Sequence, residues 1–179
     1  MTPFAPVNYP EVQKLTNVNV LKSPGVSYYY VGFRLGTWDG KKNVANYDKY
    51  SNKQLRQAMA YALNREEWNE AFFFGLGHPV NRPVPSSHWI AADNSELPNA
   101  YEYDPEKAKQ LLDEAGYKDV DGDGFREDPN GKKFVVNFGH YQTANPTFEA
   151  RAKQIGQYWE EVGLKTKVTM TEVNLYYDQ

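Results

Sequence analysis

The chain has no cysteine among its 179 residues, which excludes disulfide scaffolds, zinc ribbons, thiol redox motifs and thiol nucleophiles. That absence does not by itself assign a compartment. Long hydrophobic runs are also missing: nothing approaches the roughly 20 consecutive apolar residues that a membrane-spanning helix needs. No secretory leader is legible either, because Met1-Thr2-Pro3 opens directly into Pro-rich sequence. An excess of one charge is lacking too. Twenty Lys and Arg against 23 Asp and Glu leave a net charge of −3, so nothing argues electrostatically for nucleic acid or an anionic membrane as the main partner. What the chain does have is length for one domain with a real core, and an aromatic share of 15% led by Tyr. Such a share suits either an aromatic core or a groove for amphipathic ligands.

Periodicity and punctuation predict an alternating α/β order. Val18 to Leu21 is a short strand candidate stopped by Ser23-Pro24-Gly25, and Ser27 to Leu35, rich in Tyr, Val and Phe, is a second. Gly36 to Lys53 is polar and is expected to be a long loop. Leu55, Ala58, Met59, Ala62 and Leu63 follow the spacing of a helix with one buried face. Asn64 then starts a second helix, with Glu66 and Glu67 in its first turn, ended by Gly75 and Gly77. His78 to Tyr103 holds Pro79, Pro83, Pro85 and Pro98, too many for a regular element. Asp104 caps a helix that has Pro105 at its first position, Ala108, Leu111, Leu112 and Ala115 on its apolar face, and Gly116 at its end. Phe134 to Tyr141 is a strand, Pro146 to Val162 a long amphipathic helix, and Leu164 to Glu172 alternates like a strand. The first fifteen residues carry no compact pattern, and Val173 to Gln179 begins a helical pattern without finishing it.

One motif announces chemistry. Asp119, Asp121 and Asp123 stand at positions 1, 3 and 5 of a loop with Gly124 at position 6, Phe125 at position 7 and Glu127 at position 9. Hard oxygen ligands at alternate positions converge on calcium when Gly permits the sharp turn and position 7 offers its carbonyl. The bidentate Glu expected at position 12 is replaced by Asn130. The competing reading is an acidic, Gly-rich turn joining a helix to a strand. Even with calcium bound, the ion would be structural, since no nucleophile or base accompanies it. His78, His88 and His140 have no metal-ligand spacing. Ser86-Ser87-His88 lacks a Gly-x-Ser-x-Gly elbow and an orienting acid. The pairs Glu66-Glu67 and Glu160-Glu161 sit at helical surface positions, and no catalytic constellation is apparent.

Taken together, the helix pair from Leu55 to Glu67, the preceding Tyr28-Tyr29-Tyr30-Val31-Gly32-Phe33 and the following Tyr103-Asp104-Pro105-Glu106-Lys107-Ala108 resemble a known family. They are similar to the extracellular solute-binding proteins of ABC peptide importers, the oligopeptide/dipeptide-binding family 5. The likeness covers about Val18 to Gln179. It implies a periplasmic-binding-protein-like (class II) α/β lobe, with a mixed β-sheet flanked by helices. Residues 1–17 would then lead in from a missing lobe and 18–179 would form a single lobe, truncated at both ends. On this resemblance the function is capture of extracellular oligopeptides between two lobes, without catalysis, and delivery to the transmembrane subunits of an ABC permease. The implied location is extracytoplasmic: the periplasm, or the outer membrane face as a lipoprotein.

Carried over by position, the resemblance puts Tyr29, Val31 and Phe33 on a strand facing the peptide, and Val173 and Tyr177 in side-chain pockets. Some relatives have Glu and Trp where this chain has Val31 and Val173, so its pockets are expected to be more apolar. The acidic residue that holds the peptide amino terminus in the family would lie beyond Gln179. Within the residue reading alone, alternate side chains of the Tyr-rich strand share a face, so one set packs beneath the helices and the other either faces a cleft for recognition or packs as well. No cofactor is required, and calcium is the one candidate ion. Three other readings stay open: a calcium-stabilised extracellular interaction module, a same-family binder of a nickel complex or sugar, and a carbohydrate-active enzyme using Trp and Tyr as sugar platforms.

Overall fold

A computed structural model describes residues 4–23, 25–44, 48–85, 87–91 and 100–177. The expectations that touch Pro24, Ser86, Pro98, Asp178 and Gln179 lie outside the described residues. The chain forms two compact units, one from residues 1–30 and 65–100, the other from 31–64 and 101–179.

In the first unit a 3-10 turn at Pro6–Asn8 runs into α1 (Tyr9–Val12). Tyr9 is buried, its hydroxyl accepts from Gln13 Nε2 at 2.8 Å, and the Lys22 ammonium lies over its ring. The first fifteen residues are therefore not patternless: a local turn closes around one Tyr. Val18 to Leu21 forms no strand. The second helix here, α3 (Arg65–Phe73), starts with Glu66 and Glu67, which suit its positive end. Phe74 (φ 54°) and Gly75 (φ 66°) end it in the left-handed region. A side chain at Gly75 would meet only the mobile end of Glu70, so the turn needs glycine for its backbone conformation. Arg65 fastens the Pro-rich stretch by donating to the carbonyls of Val80 and Ala100 and to Asn81 Oδ1.

The second unit carries most of the core. A short antiparallel pair, β1 (Thr37–Trp38) and β2 (Asn43–Val44), interrupts the expected loop, and a 3-10 turn at Asp48–Tyr50 follows. Asn52 caps α2 (Lys53–Tyr61), its side chain accepting from Leu55 N at 3.2 Å, and buries Leu55, Ala58 and Met59. Asp104 caps α4 (Pro105–Glu114) in the same way, accepting from Lys107 N at 2.8 Å. Its backbone N–H donates to the Tyr61 carbonyl at 2.9 Å, which brings α4 alongside the end of α2.

A β-α-β crossover completes this unit. β3 (Val136–Tyr141) pairs in parallel with β4 (Thr166–Thr171), and α5 (Thr147–Glu161) connects them. The register sets Val136 opposite Thr166, Phe138 opposite Val168 and Tyr141 opposite Thr171. Parallel strands need such a crossover because a tight turn reverses the chain and can join only antiparallel neighbours. Gly156 sits where α5 meets β4: a methyl there would come within 3.1 Å of Val168 and 3.2 Å of Thr166. Beyond α5, Gly163 (φ 87°) turns the chain into β4. Parallel and antiparallel pairings thus both occur, in two separate two-stranded sheets.

Trp159 holds these parts together. It is 1% exposed, its ring meets Phe138 edge-on at 5.1 Å, and its indole N–H donates to the Met59 carbonyl at 3.0 Å. Around it lie Leu55, Ala58, Leu112, Phe134, Val136, Val162 and Leu164. Arg126 ties the outer ends: Nε donates to the Val162 carbonyl and Nη1 to the Tyr117 carbonyl and Asp113. Trp159→Phe keeps a ring but loses the buried bond, and is expected to cost about 1–2 kcal/mol. Trp159→Ala adds a cavity and should cost about 3–5 kcal/mol. Urea unfolding followed by far-UV circular dichroism measures both, and equal losses would assign the whole effect to the N–H.

Candidate ligand-binding site

The carboxyl ends of β3 and β4 gather aromatic side chains. Along β3, Phe138 turns toward α5, as its contact with Trp159 shows, so Gly139 and Tyr141 point to the opposite face. After β4, Glu172 starts α6 (Val173–Tyr177): its Oε2 accepts from Asn174 N at 2.9 Å and Leu175 N at 3.2 Å. α6 brings Tyr176 and Tyr177 back over β3. The Tyr141 ring lies 6.1 Å from Tyr177, nearly parallel at 28°, and 5.8 Å from Tyr176, edge-on. Tyr176 and Tyr177 meet edge-on at 5.4 Å. The Tyr176 ring lies over Gly139, its Cε2 3.7 Å from where a methyl at that position would stand, an ordinary contact distance. Phe148 and His140 flank Tyr141 at 5.9 and 4.6 Å. Because a carbonyl only accepts, the 2.7 Å contact between His140 Nδ1 and the Tyr141 carbonyl makes Nδ1 the protonated nitrogen.

The residues named from the sequence fall into three groups. Val173 and Tyr177 lie on α6 with exposed side chains, Tyr177 at 71%. Val31 and Phe33 are half-buried against the core of the second unit, Phe33 with its ring 5.8 Å from Tyr50. They offer a ligand only their outer parts. Tyr29 belongs to the first unit, where its ring meets Phe73 at 5.5 Å and Trp68 at 6.1 Å. The expected strand from Ser27 to Leu35 does not form. Alternation survives without a ladder, with Tyr30 and Gly32 exposed and Val31 and Phe33 half-buried, because packing of the apolar side chains needs only an extended backbone. Tyr141 and Tyr176 were missed from the sequence. The signal was available: Tyr141 ends a strand, the Tyr pair follows the next one, and ligands of parallel α/β sheets bind outside the carboxyl ends of strands.

The acidic loop is an ordered turn with a buried root. Asp119 accepts from Gly122 N at 2.8 Å and Gly124 N at 2.9 Å, Asp121 from Asp123 N at 3.2 Å, and Asp123 from Phe125 N at 2.9 Å. Glu127 is only 4% exposed and accepts from Val120 N at 2.9 Å. Carboxylate oxygens of Asp119, Asp121 and Glu127 lie within 4.8 Å of one another, whereas Asp123 stands outside that trio. The Lys133 ammonium is 3.2 Å from both Asp121 and Asp123 and supplies a counter-charge. The Phe125 N–H and then Lys133 hold the Asp123 carboxyl below its ordinary range, while Asp121 and Asp123 hold the Lys133 ammonium above its own.

No hydrolase-like grouping forms among the described residues. His88 stacks on Trp89, and Ser86 is not described. Glu66, Glu67, Glu160 and Glu161 are all exposed on helices. The unit is an α/β fold with an aromatic rim at the carboxyl edge of its parallel strands.

Comparison with known proteins gives that class a family. The model for bacterial extracellular solute-binding proteins, family 5 (middle region), matches residues 1–179, and the chain belongs to that family. It is 29% identical over 172 residues to the oligopeptide-binding protein AppA of Bacillus subtilis, covering 96% of this chain and 29% of AppA. It is 32% identical over 154 residues to heme-binding protein A of Haemophilus influenzae, covering 83% of this chain and 23% of the relative. The crystal structure of AppA with a nonapeptide superposes with a TM-score of 0.75 at 28% identity, over 97% of this chain and 32% of that one. Lactococcal OppA, closed on an endogenous peptide, gives 0.77 at 27% identity, over 98% and 33%. The chain spans under a third of the length of these relatives.

The acidic loop generates a pH prediction. Asp123 has a lowered pKa in the fold, so its contribution is present above the unfolded carboxylate value of about 3.9 and is lost as pH falls through the folded value. Lys133 has a raised pKa, so its contribution is present below about 10.4 and is lost as pH rises through the folded value. Amide exchange at Phe125, which donates to Asp123, is therefore expected to stay slow from pH 5 to 9, once corrected for intrinsic rates, and to lose protection in acid. Asp123→Asn should lose protection at Phe125 already at pH 6.

Proposed function

We propose that this chain is part of the substrate-binding component of an ABC importer that captures oligopeptides outside the cytoplasm. The observation that carries the reading is the aromatic rim of Tyr141, Tyr176 and Tyr177 at the carboxyl edge of β3 and β4, in a chain of family 5. Aromatic bodies with hydroxyl tips suit a ligand that is part backbone and part side chain. AppA and lactococcal OppA, whose structures hold a nonapeptide and an endogenous peptide, support peptide as the ligand.

The mechanism is binding without chemistry. An extended peptide pairs its main chain with backbone groups of the protein, and roomy hydrated pockets accept its varied side chains. Closure of two lobes about a hinge buries the peptide, and the closed form is what a permease accepts. This chain supplies one part of that clamp. Calorimetric titration with a mixed nonapeptide pool tests the reading, on this chain alone and on a two-lobed protein that contains it. Binding by the two-lobed protein with little or none by the chain alone is expected. Micromolar or tighter binding by the chain alone would overturn the division of labour, and no binding by either would overturn peptide as the ligand.

The acidic loop supports one structural addition: calcium held by Asp119, Asp121 and Glu127, with the Phe125 carbonyl, in competition with the Lys133 ammonium. Oxygen donors of this kind fit a hard cation, and open extracellular loops bind it at around 0.1–1 mM. Millimolar calcium is expected to raise the Tm of a Lys133→Met variant more than that of the parent. No shift in either protein would leave the loop as a turn alone.

A further inference from the structure

We propose that Asn130 is a site of spontaneous deamidation through the Gly131 amide, held in check by Asp128. The inference is independent of the ligand reading above. Three observations carry it.

The first is the pairing of residues. Asn130-Gly131 is the single Asn-Gly step of the chain, and every other Asn precedes a residue that bears a Cβ. Glycine leaves its nitrogen uncrowded and lets the backbone turn toward the preceding side chain. Both residues are exposed, and nothing lies within 4 Å of where a Cβ on Gly131 would stand. The Asp-Gly steps at Asp39, Asp121 and Asp123 share that freedom. They present carboxylates, however, and the carbon of an ionised carboxyl resists a nitrogen nucleophile. Those carboxylates also accept from amides: Asp39 from Lys41 and Lys42, Asp121 from Asp123, and Asp123 from Phe125.

The second is the chemistry that needs nothing but water. A bond forms from Gly131 N to Asn130 Cγ and closes a succinimide ring, while the Cγ–Nδ2 bond breaks. Nδ2 leaves as ammonia and takes the proton that Gly131 N gives up. Water then opens the ring at either carbonyl. One opening gives Asp at position 130, and the other gives isoaspartate, in which the main chain runs through Cγ. An amide and a water become an acid and ammonia, with no change of oxidation state.

The third is the turn that holds the reacting groups. The Gly131 N–H donates to the Asp128 carbonyl at 2.8 Å, and the Asp128 N–H to the Lys132 carbonyl at 2.8 Å. Asp128 Oδ1 accepts from Asn130 N at 2.8 Å and from Lys132 N at 2.9 Å. The Lys132 N–H, and then the backbone and side-chain amides of Asn130, hold the Asp128 carboxyl below its ordinary range. The attacking nitrogen must therefore leave a bond before it can turn toward Cγ. Isoaspartate would lengthen the main chain inside this turn and pull the Gly131 N–H away from the Asp128 carbonyl. The turn closes the bridge between Glu127 and Lys133, so the change reaches the buried root of the acidic loop.

The test incubates the whole chain at neutral pH and body temperature. Peptide mapping by mass spectrometry locates the new acid, and isoaspartyl methyltransferase labels the isoaspartate. Acid is expected at Asn130 before any other Asn, in both product forms. Unfolding in guanidinium should raise the rate about tenfold, the factor for losing one or two backbone hydrogen bonds. In the folded chain Asp128→Ala should raise it about three- to tenfold, and Asp128→Asn, which keeps an acceptor, by less. Asn130→Gln should stop conversion at this position, because the larger ring closes far more slowly. Circular dichroism establishes that each variant keeps its fold. Earlier conversion at another Asn would overturn the site. Equal rates in the folded and unfolded chain, or a folded Asp128→Ala variant no faster than the parent, would overturn the restraint by Asp128. Should Asp128→Ala fail to fold, the comparison of folded and unfolded parent still decides.

Discussion

A single buried hydrogen bond, from the Trp159 indole to the Met59 carbonyl, organises the larger unit. It joins α5 to α2 across 100 residues of sequence, inside a shell of Leu55, Ala58, Leu112 and Val162 where water cannot substitute for either partner. An unmet indole N–H in that shell would cost its full desolvation energy, so the bond fixes one rotation of α5 about its own axis. With α5 set, Gly156 faces β4, Phe138 faces Trp159, and Tyr141 is left on the open side of β3. The aromatic rim is thus a remote consequence of a core constraint.

The two ends of this unit solve different problems. At the carboxyl edge, where β3 and β4 stop, aromatic rings stack on one another and leave their outer faces to solvent. At the opposite edge, Arg126 satisfies carbonyls at the ends of α4 and α5, and the acidic loop satisfies its own amides with Asp119, Asp121 and Asp123. One end is internally paired and closed, the other apolar and open.

Much of this was legible from the residues. The helices α2, α3, α4 and α5 follow from apolar spacing with Asp104 as a cap, and β3 and β4 from strand patterning, because these signals are local. Three features were not. The turn around Tyr9 depends on one side chain closing on Gln13 and Lys22, which leaves no periodic trace. The hairpin of β1 and β2 is too short to show alternation. The Tyr-rich segment before Leu35 has strand composition, but a strand also requires a partner, and composition does not supply one.

The sequence by itself determined the class of protein, the order of its helices and parallel strands, and the presence of an aromatic segment and an acidic turn. Those depend on short-range physics: capping, periodicity and turn chemistry act within a few residues. Tertiary structure alone decided which aromatic residues serve the core and which form the rim. Phe33 and Trp159 pack inward, whereas Tyr141 and Tyr177, of the same chemistry, stack at an open edge. That distinction is set by the rotation of α5 and the return of α6 over Gly139, contacts between residues far apart in sequence. No local pattern encodes them.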